Sequence, residues 1–88
     1  MRIKDNFTLR QIADTWVILP LSAATVNFNG MMTLNESGVM LWNILTDGST
    51  REELANALVR EYEVSYDEAL SDVDAFLKML DDAGCIDA

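Results

Sequence analysis

Apolar and polar positions follow two rhythms along this chain, and the change from one to the other falls near residue 35. From Phe7 to Ile12 the residues come close to alternating, with Phe7 and Leu9, then Ile12-Ala13, set against Thr8, Arg10 and Gln11, the pattern of a half-buried strand. Asp14-Thr15 reads as a turn, and the β-branched and aromatic run Trp16-Val17-Ile18-Leu19 reads as a second strand stopped by Pro20. Residues 20–25 read as a loop. Val26 and Phe28 then extend strand pairing into Asn29-Gly30, a dipeptide that tolerates positive φ and so favours a hairpin turn. Met31-Met32-Thr33-Leu34 forms the last strand.

Beyond Leu34 the period becomes helical. Asn35 is placed to cap a helix whose stripe is Leu41, Trp42 and Leu45, and Asp47-Gly48 ends it. Thr50 and Glu53 have the spacing of a capping box and open a second helix with Leu54, Ala55, Leu58, Val59 and Tyr62 on one face. Ser65 and Glu68 repeat the box for a third, whose stripe Ala69, Leu70, Val73, Phe76, Leu77, Leu80 runs to Gly84. Cys85-Ile86 is expected to tuck back as a short tail. Strands followed by three capped helices predict an α+β arrangement or a winged-helix-like one, with a small N-terminal antiparallel sheet, and the 88 residues predict one domain.

Charge narrows the partners. Residues 1–48 carry three basic and four acidic groups, while residues 49–88 carry three basic and eleven acidic. That field repels phosphate backbones, so nucleic acid is not expected and a basic peptide or protein is the more natural partner. No run is long enough to span a membrane. Arg2 and Lys4 before an apolar run resemble the start of a signal peptide, but the run Trp16 to Leu19 is short and Asp5 and Asp14 interrupt its approach. A single cysteine, Cys85, fits a reducing compartment, and the chain is expected to be cytoplasmic.

Catalytic chemistry finds little to use. The chain has no histidine, which removes the usual proton shuttle, metal ligand and partner for a cysteine nucleophile. Asp72 and Asp74 are two apart on a helix and face away from each other; Glu52-Glu53 and Asp81-Asp82 read as solvated faces. The four glycines stand singly, none in a phosphate-cradling loop. The expectation is a protein that is no enzyme, with no catalytic residue, no metal and no cofactor. Two features exceed the needs of a core: a last strand apolar on both faces, and a third helix widened by Phe76 and Met79. An open strand edge beside an apolar groove is the geometry of strand addition by a guest peptide.

Several segments together resemble the PqqD family and, more broadly, the recognition elements that bind leader peptides of ribosomally made, modified peptides. They are Phe7-Thr-Leu-Arg-Gln-Ile-Ala13, Trp16-Val-Ile-Leu-Pro20, Asn29-Gly30, Leu34-Asn-Glu-Ser-Gly38, Leu41-Trp42, Asp47-Gly-Ser-Thr50, Glu53-Leu54, Tyr62, Asp72-Val-Asp-Ala-Phe-Leu77, Leu80 and Gly84. The resemblance implies a winged-helix-like fold in which the small N-terminal antiparallel sheet is three-stranded and three helices follow. It implies a peptide chaperone that takes the leader as an added strand and presents it to a modifying enzyme, often a radical enzyme of the S-adenosylmethionine type. It implies a leader lying along Met31, Met32, Thr33 and Leu34, with side chains reaching toward Asp72, Val73, Phe76, Leu77, Met79 and Leu80. Periodicity does not settle which of those helix residues face outward. The resemblance implies no catalytic residue, and it leaves open whether the pathway makes a quinone cofactor or another modified peptide. Two alternatives stand beside it: a homodimeric scaffold paired through the same edge, and a winged-helix regulator, which the acidic third helix opposes.

Overall fold

In the computed structural model, which describes residues 1–21 and 32–87, the strands come first and the helices follow, as the two rhythms require. After a two-residue strand β1 (Arg2–Ile3), a hairpin joins β2 (Phe7–Ile12) to β3 (Thr15–Pro20), and β3 pairs in turn with β4 (Met32–Leu34). The helices are α1 (Glu36–Thr46), α2 (Arg51–Tyr62) and α3 (Tyr66–Asp82), and a second two-residue strand, β5 (Ile86–Asp87), ends the described chain. The architecture is the expected α+β one, a three-stranded antiparallel sheet in the order β2-β3-β4 followed by three helices.

The hairpin turns one step earlier than expected. Ile12 pairs with Thr15, so Ala13 and Asp14 form the turn, with Ala13 at φ 55. Thr15 and Pro20 both belong to β3, and Pro20 pairs with Phe7 at its very end, where a missing amide costs little. Ile12 is 51% exposed because strict alternation from Phe7 and Leu9 puts it on the opposite face. The expected pairing through Val26 and Phe28, the Asn29-Gly30 turn and the start of the last strand at Met31 lie outside the described residues.

All three helix starts are capped by the residues that the sequence marks. Asn35 accepts from the amide of Gly38, Thr50 from that of Glu53 and Ser65 from that of Glu68. Gly48, just beyond α1, takes φ +93, a left-handed turn that a side chain would resist. One core then joins the layers: Ile18 from β3, Leu45 from α1, Leu54 from α2, and Val73 and Leu80 from α3 are all fully buried. Removing such apolar surface from water contributes about 1.5–3 kcal/mol per large side chain.

The tail at Cys85-Ile86 tucks back as expected, and it does so as a two-residue strand that the sequence pattern does not mark. β1 pairs with β5 in its own two-stranded sheet, Arg2 opposite Asp87 and Ile3 opposite Ile86. Lys4 donates to the Cys85 carbonyl at 2.9 Å, and Ser49 donates to the Met1 carbonyl at 2.9 Å. The described part of the tail after α3 is therefore engaged with β1, and among the described residues no strand pairs with the outer side of β4.

Candidate functional site

The junction of β4 with α1 sets one wall of a groove. Leu34 ends the strand, Asn35 caps the helix and Glu36 begins it, with no linker between them. The Asn35 Oδ1 accepts from the Gly38 amide at 2.9 Å and from the Ser37 hydroxyl at 3.0 Å, which fixes the corner. β4 lies at one end of the sheet order, so among the described residues its outer edge pairs with no strand. Met32 and Leu34 share the core face of this strand, and Thr33 points the other way, exposed. The expectation of a strand apolar on both faces rests on Met31, which lies outside the described residues.

The facing wall is α3, which carries two neighbouring stripes. Ala69, Val73 and Leu80 are fully buried and form the core stripe. Asp72, Ala75, Phe76 and Met79, at i, i+3, i+4 and i+7, line the groove. Leu41 and Leu58 supply the floor, and Tyr62 and Val64 close the end where α2 turns into α3. The space enclosed is about 1020 Å³, at the upper end of the range for small-molecule pockets, but it lies open along a strand edge as an extended peptide needs.

Of the residues expected at the site, Thr33, Leu34, Asp72, Phe76 and Met79 line this groove together. Val73 and Leu80 do not reach it, because they belong to the sealed core stripe. Met32 and Leu77 are half-buried against the core, and Met31 lies outside the described residues. Asn35, Glu36, Ser37 and Gly38 of the corner, Ala75, Tyr62, Val64 and the floor residues were missed. Ala75 was legible, since it completes the Asp72, Phe76, Met79 spacing, but a search for large apolar side chains passes over an alanine between Asp74 and Phe76.

Charge is arranged so that the groove keeps its acids unpaired. Arg51 at the start of α2 holds Asp74 of α3 through two hydrogen bonds, Nε to Oδ1 at 2.5 Å and Nη2 to Oδ2 at 2.9 Å. That hydrogen bonding to Arg51 holds the Asp74 carboxyl below its ordinary range. Lys78 pairs with Asp82 at 3.1 Å. Glu36 and Asp72, the two carboxylates that line the groove, are in no ion pair among the described residues. Cys85 is fully buried away from the groove, and desolvation pushes its thiol up to about 11, so it is mostly unreactive. Among the described residues no group of three or more potential metal ligands converges, and no helix is long and apolar enough to cross a membrane.

With this geometry in place, the comparison with known proteins is specific. The family described as Coenzyme PQQ synthesis protein D (PqqD) matches residues 15–86 of the sequence. The chain belongs to the PqqD family. The match opens with β3 and ends in β5, so it takes in the β4 edge and both walls of the groove. Among curated proteins none matches the chain. Two solved structures share the fold of this PqqD-family chain. The structure described as TbiB1 in complex with the TbiA(beta) leader peptide is 26% identical, with a TM-score of 0.79 over 100% of this chain and 96% of that one. The structure described as lasso peptide synthetase B1 complexed with the leader peptide is 24% identical, with a TM-score of 0.75 over 96% of this chain and 93% of that one, and it speaks to the fold alone.

Proposed function

We propose that this PqqD-family chain is a non-enzymatic peptide chaperone that binds the leader of a ribosomally made precursor by strand addition on β4 and presents it to a modifying enzyme. The observation that carries this reading is the outer edge of β4, unpaired among the described residues, beside a groove floored by Leu41 and Leu58 and walled by Phe76 and Met79. An added strand gains backbone hydrogen bonds along such an edge, and its alternate side chains enter the groove. The leader peptide held by TbiB1, which covers this whole chain in structural alignment, supports the same use of the fold here. Thr33, Leu34, Asp72, Phe76 and Met79 are the contacts proposed, with Met31 and Met32 continuing the same edge. The modifying enzyme is assigned to the radical S-adenosylmethionine class on the family resemblance alone, and the setting is the cytoplasm.

Titration of the isotope-labelled chain with the precursor peptide encoded beside its gene tests this. Amide shifts concentrated at residues 32–34 and 72–79 are expected. Shifts confined to other elements, or none, would overturn the reading. Light scattering with and without the peptide separates guest pairing from self-pairing, because a homodimer built on the β4 edge would dissociate as peptide is added. A nucleic-acid role gains nothing from the structure: the exposed residues of α3 include Asp72, Asp74, Asp81 and Asp82, and its one lysine is already paired with Asp82.

A further inference from the structure

The groove is apolar at its floor and acidic at its rim, and the two acids come from different walls. Glu36 stands at the first turn of α1 beside the β4 corner, and Asp72 stands on the groove stripe of α3. Among the described residues no lysine or arginine lines the groove. Asp72 is in no ion pair among the described residues, so no cation of this chain already occupies its carboxylate. Tyr62, 40% exposed at the groove's end, adds a ring whose face attracts a cation. Like-charged groups on facing walls repel each other and any acidic guest, and a basic side chain entering between them relieves both effects.

We propose that the groove selects a peptide carrying a lysine or arginine next to the apolar side chain that fills the floor, the basic group being read by Glu36 and Asp72. This rests on the strand-addition reading and adds the charge of the guest to it. The surplus of acid in residues 49–88, three basic against eleven acidic groups, attracts such a peptide toward this half of the chain before contact.

The test uses a displayed library of random twelve-residue peptides selected against the full chain, with binders sorted by whether they shift the amides of residues 32–34. Edge-binding peptides are expected to be enriched in lysine or arginine beside an apolar residue. Replacing that basic residue by glutamine is expected to weaken binding about tenfold, as is the E36Q/D72N double variant, whose own affinity for the two peptides no longer differs. D74N, which removes an acid outside the groove, is expected to leave affinity unchanged. Edge-binding peptides with no basic enrichment, or equal affinity for E36Q/D72N, would overturn the charge assignment while leaving strand addition intact. If no selected peptide moves the amides of residues 32–34, strand addition itself fails and the charge assignment falls with it.

Discussion

Gly38 and Leu34 meet so closely that a methyl group built on the glycine would stand 3.3 Å from both the Cβ and the Cδ2 of Leu34. The same methyl would stand 3.3 Å from the Asn35 Oδ1 that caps α1. Leu34 Cβ is anchored to the β4 backbone and has little room to retreat. Gly38→Ala gains up to about 1 kcal/mol of helix propensity but pushes on both the strand and the cap. The expected result is a net loss of about 1 kcal/mol in urea unfolding. Asn35→Ala loses a similar amount, and the double variant loses less than the sum because both changes disturb one cap. A Gly38→Ala protein more stable than the parent would show that the corner yields freely.

Strand addition has a signature in hydrogen exchange that side-chain docking lacks. Successive amides of an antiparallel strand point to opposite sides, so some amides of Met32, Thr33 and Leu34 already face β3 and the alternate ones face the open edge. A peptide added as a strand is expected to slow only the outward set, on the order of 100-fold at a peptide concentration about a hundred times Kd. Uniform slowing of all three, or none, would point to docking through side chains alone.

The two stripes of α3 make separable variants. Leu80 is fully buried, and Leu80→Ala is expected to cost about 2–5 kcal/mol of stability. Phe76 is half-buried on the groove wall, so Phe76→Ala is expected to lose at least about tenfold in peptide affinity with a smaller stability loss than Leu80→Ala. Calorimetric titration together with chemical unfolding of both variants checks the division. Peptide binding undiminished in Phe76→Ala would remove this wall from the site.

What the sequence made legible follows from what a period can encode. Asn35, Thr50 and Ser65 cap as expected because capping is a local hydrogen bond, written within four residues. The β2–β3 hairpin is found because six-residue strands are long enough to alternate. The β1–β5 pair is not, because two residues carry no rhythm and Ile3 meets Ile86 across nearly the whole chain. On α3 the sequence shows a wide apolar face but not where core ends and groove begins. Val73 and Phe76 are both apolar and three residues apart; only the packing of the folded chain, which buries Val73 and leaves Phe76 on the groove, distinguishes them.

Cys85 gives the fold a dependence on alkaline pH that involves no part of the groove. Its thiol is fully buried, and desolvation raises its pKa to about 11, an effect the nearby charge of Lys4 only partly offsets. An ordinary thiol ionises near about 8.5, so below that pH both folded and unfolded chains hold the proton and stability is unaffected. Between about 8.5 and about 11 the unfolded chain releases the proton and the folded chain keeps it, which favours unfolding. The loss grows to the order of 2–3 kcal/mol by the upper end of that window. Tyrosines and lysines also titrate there, so the comparison is with Cys85→Ala, whose smaller side chain lowers stability by an amount independent of pH. Urea unfolding from pH 7 to pH 10.5 is expected to show the parent's advantage over Cys85→Ala constant up to about pH 8 and shrinking steadily above it. A constant difference across the whole range would mean that water reaches the thiol, and that the β1–β5 closure over Cys85 opens far more readily than its hydrogen bonding from Lys4 indicates.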